Sequence, residues 1–411
     1  MSDPAKPISF DNTENAFAYK SDRSLRKARL LFSSMSHPVL VHWGIRLTNW
    51  AINIRLPING IIRHTIFEQF VGGETLEETA EVAGKLGHYG VRVILDYGVE
   101  GGESSEQAFD HACDEFLRVV DHAATQPNIP FISIKVTGIS RFGLLEKLDR
   151  SVAEQSGTLI SRFDSALSSL SQAEQSEWQR VHDRMMKICA LAAEKHVGVL
   201  VDAEETWIQD PVDVLTMRMM DRFNKAHAVV YNTAQLYRHD RLAFLKDSIE
   251  AAEKRHFVLG MKLVRGAYME RERARASEMG YSSPIQPDKE STDRDYDEAL
   301  RLCVEHIGHV AFIVASHNEQ SNLLTTRLLD QKGLSPDHPH VHFSQLYGMS
   351  DNITFNLAKA ECSVSKYLPF GPIRDVVPYL MRRAQENTSV AGQTGRELGL
   401  INKELNRRRR S

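Results

Sequence analysis

The chain has 411 residues, enough for one barrel-sized domain with an additional segment. It carries 50 basic and 54 acidic residues, a balance that excludes the strong overall positive charge typical of nucleic-acid-binding proteins. No apolar run reaches the length of a transmembrane helix, so we expect a protein that is soluble or at most peripheral to a membrane.

The cysteines and the first residues bear on the cellular compartment. Residues 2–14 are polar and acidic and show no targeting signal. Four cysteines lie too far apart to form a Cys-x-x-Cys pair: Cys113, Cys189, Cys303 and Cys362. This spacing indicates a reducing compartment and no structural zinc.

Residues 1–85 precede the first predicted strand and show helical periodicity. Amphipathic stretches at 25–35 and 58–70 predict two helices. We interpret residues 1–85 as a helical arm packed on the following domain, without a function of its own.

Eight short runs rich in β-branched and aromatic residues follow. Their nearly continuous apolar character is typical of parallel strands that are buried on both faces. The predicted strands are 91–97, 131–136, 197–201, 229–232, 258–264, 310–315, 341–345 and 364–368. Helical patterns between and after them cover 103–124, 174–195, 236–255, 293–307, 319–332, 351–360 and 375–387.

Eight successive strand–helix units predict an α/β fold, a distorted (β/α)8 TIM-like barrel with an N-terminal helical arm. The connection after the second strand is long, and residues 151–177 are expected to add helices there. No Gly-x-Gly-x-x-Gly motif follows a strand, which argues against a Rossmann dinucleotide site. We expect the barrel to span residues 86–395 and the basic residues 396–411 to form a solvated tail.

Barrel active sites lie at the C-terminal ends of the strands. Those ends carry polar or aromatic groups: Lys135, Asp202, Gln235, Arg265, Tyr268, His317, Gln345 and Tyr367. Any one of these residues could simply face water, but a barrel built only for stability does not need polar or aromatic groups at nearly every strand end. The set as a whole therefore indicates a functional site.

Two consecutive arginines, Arg382 and Arg383, lie in the last predicted helix close to Glu386. Guanidinium groups are planar and permanently charged, and they match carboxylates. With Lys135 they could clamp a small anionic substrate. The alternative is an exposed helix face with an ion pair between Arg382 and Glu386.

Two strand ends have features suited to a cofactor. Gly266 would let a flat ligand approach the backbone closely. Ser316, His317 and Asn318 offer hydroxyl, imidazole and amide groups that suit a phosphate or a ribose, although each could also be a satisfied strand end.

Seven short motifs lie along the chain in this order: ISIK at 132–135, VDAEE at 201–205, KLVRGAY at 262–268, GYSSPI at 280–285, ASHN at 315–318, QLYGM at 345–349, and Tyr367 followed by YLMRR at 379–383. Together they resemble the motifs of the proline dehydrogenase family, the flavin enzymes that begin proline catabolism. The resemblance covers roughly residues 90–392. The N-terminal arm resembles that of the monofunctional bacterial members.

The resemblance implies a barrel that binds L-proline and FAD. Lys135, Arg382 and Arg383 would bind the proline carboxylate. Tyr268, Leu346 and Tyr367 would enclose the pyrrolidine ring of proline. Asp202 would orient Tyr268 or an arginine. In this family a tyrosine at the position of Tyr367 accompanies a preference for proline, and a smaller residue accompanies 4-hydroxyproline.

The resemblance also implies the residues around the flavin. Lys262 stands where many bacterial members carry arginine beside the flavin N5, and Met269 stands where some members place tryptophan under the adenine. The implied cofactor-binding residues are Gln235, Lys262, Val264, Arg265, Gly266, Ala267, Thr292, Ser316, His317, Asn318, Gln345, Leu346 and Glu386.

The implied reaction is the oxidation of L-proline to 1-pyrroline-5-carboxylate, with hydride transfer from C5 to flavin N5 and electrons passed to a membrane quinone. Cations around the carboxylate would also lower the pKa of the proline amine, and the cofactor would supply the redox chemistry. The family leads us to expect a cytoplasmic protein, peripheral on the inner face of the cytoplasmic membrane.

Two other classes of protein stay open on the residues alone. One is a barrel enzyme that uses Lys135 or Lys262 as a Schiff base, or His338, His340 and His342 as metal ligands. The histidines precede the seventh strand, on the barrel face away from the strand ends, and no acidic ligand accompanies them, which favours a turn. The other class is a non-catalytic anion-binding scaffold at a membrane, suggested by the basic tail and the amphipathic arm.

Overall fold

Eight parallel strands form a closed barrel in sequence order, in a computed structural model that describes residues 8–54, 59–98, 105–389 and 393–410. The strands are β1 (Arg92–Tyr97), β2 (Phe131–Ile134), β3 (Gly198–Val201), β4 (Val230–Gln235), β5 (Leu259–Val264), β6 (Val310–Ala315), β7 (Val341–Leu346) and β8 (Val364–Phe370). The predicted (β/α)8 barrel is confirmed.

Helices precede, separate and follow the strands. They are α1 (Thr13–Phe17), α2 (Asp22–Met35), α3 (Pro38–Asn53), α4 (Asn59–Ile62), α5 (Glu68–Phe70), α6 (Leu76–Gly87), α7 (Glu106–Ala124), α8 (Phe142–Ala153), α9 (Leu159–Ser169), α10 (Gln172–Lys195), α11 (Gln209–Phe223), α12 (Arg241–Arg255), α13 (Met269–Met279), α14 (Lys289–Glu305), α15 (Glu319–Gln331), α16 (Asp351–Lys359), α17 (Ile373–Ser389) and α18 (Gln393–Arg408). A π-helical turn, Arg63–Phe67, joins α4 to α5.

Most predicted strands and helices are present in the structure, with differences at several boundaries. The expected extra helices after the second strand are the end of α8, α9 and the start of α10. β8 continues to Phe370 alongside β1, with Tyr97 opposite Phe370. The expectation that Tyr367 ends β8 was therefore wrong, because this tyrosine is the fourth of seven strand residues. Neither α11 nor α13 was predicted.

Contacts divide the chain into two compact units, and residues 99–343 form one of them. Within it β2, β3, β4, β5 and β6 pair in parallel with their neighbours in sequence order. The strands are buried on both faces, as their continuous apolar runs predict. The carboxyl ends of these five strands therefore lie along one edge of the sheet.

The other unit contains residues 1–98 and 344–411. Its apolar core includes Phe17, Phe32 and Phe70 from the N-terminal helices and Leu380 from α17. Val376 and Val377, which with Leu380 form the predicted apolar stripe of α17, are also buried.

The C-terminal residues do not form the expected solvated tail. They form α18, and one face of this helix is buried through Leu400, Ile401 and Leu405. Arg408 donates to the backbone oxygen of Phe17 and to the Asp22 carboxylate. The expectation was wrong because the arginines at the end of the chain follow an amphipathic pattern, whose apolar side packs into the core and orders the helix. The domain boundaries at 85/86 and 395/396 stay predictions.

Candidate active site

Three charged side chains meet where β2, β3 and β5 end. Lys135 directly follows β2, Asp202 directly follows β3, and Lys262 lies two residues before the end of β5. The Lys262 ammonium donates to Asp202 Oδ1, and the Lys135 ammonium lies 3.7 Å from Asp202 Oδ2. Ser133, in β2, donates its hydroxyl to the same carboxylate at 2.7 Å. Ser133 and both lysines are buried and Asp202 is half-buried, so the four side chains form a largely buried polar cluster.

The electrostatics of this cluster hold Asp202 in its charged form. Burial alone would raise the pKa of Asp202, but the ammonium groups of Lys262 and Lys135 outweigh burial and lower this pKa to about 2. Two cations thus surround one carboxylate, in a place where substrates of barrel enzymes bind. The excess positive charge suits an anionic ligand.

A second carboxyl, Glu204, is buried close to the cluster, and the sequence predicts no role for it. Both of its oxygens are 2.9 Å from the Thr137 hydroxyl, which donates to the carboxylate. Burial raises the pKa of Glu204 to about 7, against the opposing effect of Lys135. Its backbone oxygen accepts a hydrogen bond of 2.8 Å from the Gln235 amide. Glu204 therefore links the ends of β3 and β4.

Arg265, directly after β5, is held by three hydrogen bonds. Its guanidinium donates to Asp293 at 2.7 Å, to the Ser316 hydroxyl at 2.7 Å and to the Ser321 hydroxyl at 3.0 Å. The guanidinium carbon lies 4.3 Å from the centre of the Tyr296 ring. The structure thus brings Arg265 and Ser316 together, as the sequence predicts for neighbouring strand ends.

The residues after Ser316 have a structural role that the sequence analysis missed. The Asn318 side chain caps α15 by accepting hydrogen bonds from the backbone of Gln320 and Ser321, at 2.8 and 3.2 Å. Its own backbone N–H donates to the Ser316 hydroxyl at 3.0 Å. His317 is half-buried between them. A polar residue directly before a helical pattern is the signal that could have identified this cap.

The fold requires a glycine at position 266, whether or not a ligand binds there. Its φ angle of +137° is one that residues with a side chain rarely adopt. A Cβ there would also lie 2.4 Å from the Tyr237 ring. Ala267 and the buried Tyr268 follow, and α13 begins directly after them. Approach of a flat ligand to Gly266 stays a prediction, and the contact with Tyr237 is an independent reason for the glycine.

Two further predicted cofactor residues lie in the unit formed by residues 99–343: Val264 is half-buried and Thr292 is buried. Val264 is the last residue of β5, and its backbone oxygen accepts a hydrogen bond of 2.9 Å from the N–H of Leu236. Thr292, in α14, is buried and donates its hydroxyl to the backbone oxygen of Asp288 at 3.2 Å.

The remaining predicted residues belong to the unit formed by residues 1–98 and 344–411. Gln345, in β7, is buried and accepts a hydrogen bond of 2.8 Å from the Thr354 hydroxyl. Leu346 ends β7 and is half-buried. Tyr367 is also half-buried, on the face of β8 opposite Lys366.

Arg382 and Arg383 lie in the middle of α17, as predicted. Arg383 is only 8% exposed, and its guanidinium carbon lies 5.3 Å from the centre of the Tyr379 ring. Arg382 is half-buried. The interpretation of this pair as an exposed helix face is therefore wrong for Arg383. The predicted partner Glu386 has its side chain outside the described residues.

The described part of the chain contains no cluster of three or more His, Cys, Asp or Glu side chains able to hold a metal ion. His340 contacts the backbone oxygen of Ile307 at 2.7 Å, and its backbone N–H donates to His338. No helix among the described residues is both long enough and apolar enough to cross a bilayer.

The closed barrel places the protein in the (β/α)8 class, and sequence comparison identifies it more closely. The sequence model of the proline dehydrogenase family matches residues 79–396, so the chain belongs to the proline dehydrogenase family, whose members are oxidoreductases acting on proline. The resemblance noted from the motifs is confirmed. The Schiff-base, metal-hydrolase and scaffold alternatives are set aside.

Named relatives agree with this assignment. The chain is 33% identical to proline dehydrogenase 1, mitochondrial, of Dictyostelium discoideum, over 87% of this chain and 67% of that protein. It is 33% identical to hydroxyproline dehydrogenase of Mus musculus, over 98% of this chain and 94% of that protein. A crystal structure of proline utilization A from Bdellovibrio bacteriovorus has the same fold, with a TM-score of 0.69 at 20% identity, over 95% of this chain and 40% of that one.

Proposed function

We propose that the protein oxidises L-proline to 1-pyrroline-5-carboxylate, with FAD as its cofactor and a membrane quinone as its electron acceptor. The observation that carries this proposal is the buried cluster of Lys135, Asp202 and Lys262 at the strand ends of a proline dehydrogenase barrel. Burial keeps water from screening these charges, so they act strongly on a bound anion.

The substrate would be held by its carboxylate and by its ring. Lys135, Arg382 and Arg383 would bind the carboxylate through charge-assisted hydrogen bonds. Their positive charge also disfavours the protonated amine, so the proline nitrogen would lose its proton more readily. Asp202 would fix the position of Lys135 and keep the cluster from becoming more positive.

Three aromatic and apolar side chains would enclose the ring: Tyr268, Leu346 and Tyr367. Relatives named proline dehydrogenase and hydroxyproline dehydrogenase are both 33% identical to the chain, so overall identity does not distinguish the two substrates, and we assign the choice to the residues around the ring. Tyr367→Ser would remove a phenol from beside C4 of the ring. We expect it to narrow the preference for proline over trans-4-hydroxyproline by up to roughly 100-fold, measured as the ratio of kcat/KM values. An unchanged ratio would exclude Tyr367 from this role.

The donor set at the ends of β4, β5 and β6 would fit FAD. Lys262 and Arg265 supply cations, Ser316 and Thr292 supply hydroxyls, and Gln235 supplies an amide, which together suit phosphates and a polar ring. When bound, FAD would accept the hydride from C5, which carries both electrons that leave proline, while the proline nitrogen loses a proton. The other residues proposed to line this cofactor are Val264, Gly266, Ala267, His317, Asn318, Gln345, Leu346 and Glu386.

The test combines a spectrum with the kinetics of one variant. The purified protein, reconstituted with FAD, should show flavin absorbance that proline bleaches in the absence of an acceptor. A protein that takes up no FAD, or whose flavin proline does not reduce, would overturn the proposal. Arg383→Met should raise KM for proline roughly 10- to 100-fold with the flavin spectrum intact, since a charge-assisted bond contributes about 1.5–3 kcal/mol.

Arg374→Met is the matched control for Arg383→Met. Arg374 lies in the same helix, α17, but is exposed. Its substitution should leave KM unchanged. Equal KM values in both variants and the wild type would show that Arg383 does not bind the carboxylate.

A further inference from the structure

Two hydroxyl–carboxyl pairs lie where the adjacent parallel strands β2 and β3 end. The Ser133 hydroxyl donates to Asp202 at 2.7 Å. The Thr137 hydroxyl donates to Glu204 at 2.9 Å. Lys135 lies between Ser133 and Thr137 in the sequence, and its positive charge acts on both carboxyl groups. One ammonium group therefore interacts with two carboxyl groups.

The two carboxyl groups differ in charge at neutral pH. Burial would raise the pKa of Asp202, but the charges of Lys262 and Lys135 outweigh burial, and Asp202 is ionised. Burial raises the pKa of Glu204 to about 7, with Lys135 opposing this rise and the charges of Glu205 and Asp202 adding to it. Near pH 7, Glu204 is thus divided between its neutral and its charged form. Carboxyl groups that are separated in this way can have separate roles in one site.

The backbone of Glu204 is held from two sides by buried amide side chains. The Glu204 N–H donates to the Gln209 side chain at 3.2 Å, and the Gln235 amide donates to the Glu204 backbone oxygen at 2.8 Å. Gln209 in turn donates to Asp213 at 2.9 Å, and Asp213 pairs with Arg241 at 2.6 Å. All five residues are buried. The position of Glu204 is therefore fixed, and a change in its charge is not relieved by movement of its backbone.

The charge of Glu204 matters to an anion that binds beside Lys135. An ionised Glu204 places a negative charge at the ammonium group that is proposed to bind the proline carboxylate. In a largely buried cluster, water screens the repulsion between two such negative charges only weakly. A neutral Glu204 adds no such repulsion, so the neutral form favours binding of the anion.

We propose that Glu204 is a positioning residue for the substrate: its neutral carboxyl permits binding of the substrate carboxylate at Lys135, and its ionised form opposes this binding. The inference rests on the proposed function, because it takes Lys135 as a carboxylate-binding residue. Since the coupling is reciprocal, binding of the carboxylate also favours the neutral form of Glu204. Binding near pH 7 should then take up a fraction of a proton from the solution. The alternative is that Glu204 only joins the ends of β3 and β4.

Calorimetric titration of the FAD-loaded full chain with tetrahydro-2-furoate tests the proposal. This ligand has the carboxylate and the five-membered ring of proline, but oxygen replaces the nitrogen, so no amine of the ligand titrates. Its Kd should rise up to roughly 10-fold between about pH 6 and about pH 8, as Glu204 ionises. Titrations near pH 7 in buffers of different ionisation enthalpy should show the uptake of protons. A Kd that is equal at the two pH values would overturn the proposal.

Glu204→Gln separates the proposal from a purely structural role. Glutamine has nearly the shape of the neutral acid and can still accept from the Thr137 hydroxyl, but it does not ionise. The Kd of this variant should not depend on pH, and at about pH 8 it should be up to roughly 10-fold lower than that of the wild type. A structural role instead predicts weaker or unchanged binding at both pH values. Either of these results, or a wild-type pH dependence in Glu204→Gln, would overturn the proposal.

Two further variants test the origin of the pH dependence. Thr137→Val removes a hydroxyl that favours the charged form of Glu204, so the rise in Kd should move to higher pH. Glu205→Gln is the matched control, since Glu205 is the next residue, is also buried and pairs with Arg271. It should keep the rise in Kd, moved slightly to lower pH because one negative charge near Glu204 is lost. An unmoved rise in Thr137→Val, or no rise in Glu205→Gln, would contradict the proposal.

The same titrations separate this inference from the proposed function. If tetrahydro-2-furoate binds at neither pH, the carboxylate site of the proposed function is wrong, and the role of Glu204 fails with it. If the ligand binds with a Kd that does not depend on pH, and proline is oxidised, the proposed function stands and only the role of Glu204 is excluded.

Discussion

Two aspartates in this protein, Asp202 and Asp351, have almost the same charged neighbours and lie in different parts of the fold. Each lies between two lysine side chains, Asp351 buried and Asp202 half-buried. In each, burial would raise the carboxyl pKa, but the neighbouring ammonium groups lower it to about 2. The lysines are Lys135 and Lys262 around Asp202, and Lys20 and Lys366 around Asp351.

The cluster around Asp351 joins segments that are far apart in the sequence. Lys20 lies between α1 and α2, Asp351 begins α16, and Lys366 lies in β8. Both lysines approach the carboxylate closely, at 3.0 and 2.9 Å, and Tyr19 donates its hydroxyl to it at 2.9 Å. Lys366, which has no exposed surface, also donates to the backbone oxygen of Met349. This cluster fastens the N-terminal helices to the strand.

The cluster around Asp202 lies instead at the carboxyl ends of strands, where barrel enzymes bind their substrates. The Lys135 ammonium is 3.7 Å from the Asp202 carboxylate, which is longer than a hydrogen bond. We therefore expect ion pairs of the same composition to stabilise the fold around Asp351 and to contribute to the proposed site around Asp202. Their place in the barrel distinguishes them, and their residue types do not.

The largest expected effect is on stability. Asp351→Ala leaves two buried ammonium groups without their carboxylate, and breaking a buried pair in this way costs about 3–5 kcal/mol. Asp202→Ala should cost less, about 1–3 kcal/mol, because an anionic ligand or solvent ions can reach a strand end. Urea unfolding of both variants measures the difference. Equal losses of unfolding free energy would mean that the two clusters have the same structural role.

Activity should respond in the opposite order. Asp202→Ala should lower kcat/KM for proline by about 10²–10³-fold, the usual effect of removing a fixed electrostatic group from an active site. Asp351→Asn, assayed well below its unfolding temperature, should keep kcat/KM within about twofold. Steady-state assays with a soluble acceptor measure both. A large loss of activity in folded Asp351→Asn would contradict the comparison.

The barrel could be predicted from the sequence because its strands are short, nearly continuous apolar runs. The lysine clusters could not, because pairing at strand ends depends on which strands are neighbours and which way each side chain faces. Lys366 lies next to Tyr367 in the sequence, yet the two occupy opposite faces of β8. Ser133 and Glu204 lie within recognised motifs, but their hydrogen bonds appear only when β2, β3 and β4 are side by side.

A smaller, pH-dependent effect is expected at Glu397 of α18, whose carboxylate accepts a hydrogen bond from the backbone of Ser350. Burial, and then the charge of Asp351, raise the pKa of Glu397 to about 7. The folded state thus favours the neutral acid. The resulting stability is full below the ordinary glutamate pKa of 4.5 and is lost as the pH rises through about 7.

Raising the pH from about 4.5 to 8 should therefore lower the unfolding free energy of the wild type by up to ~3 kcal/mol through the ionisation of Glu397. Glu397→Gln should remove that part of the pH dependence. Unfolding free energies at the two pH values, for wild type and variant, measure it. Glu278→Gln, at an exposed position, is the control and should behave as the wild type does. A wild-type pH dependence in Glu397→Gln would show that Glu397 is charged in the folded protein throughout this range.

The smallest expected effects come from removing the one hydroxyl that donates to each aspartate. Ser133→Ala removes a 2.7 Å hydrogen bond to Asp202, and Tyr19→Phe removes a 2.9 Å hydrogen bond to Asp351. Each bond contributes about 0.5–1.5 kcal/mol, since the carboxylate keeps its lysine partners. Ser133→Ala should lower kcat/KM by about 2- to 10-fold and Tyr19→Phe should lower only the unfolding free energy.

Ser133 acts through Asp202, so its role as a positioning residue needs a measurement that a simple loss of packing would not change. Losing this donor raises the pKa of Asp202, so the acidic limb of the kcat/KM profile should move to higher pH in Ser133→Ala. Ser133→Thr, which keeps a hydroxyl, should restore the wild-type profile. If Tyr19→Phe shifts the pH profile as well, or Ser133→Ala changes stability alone, the two aspartates do not differ in the way their positions indicate.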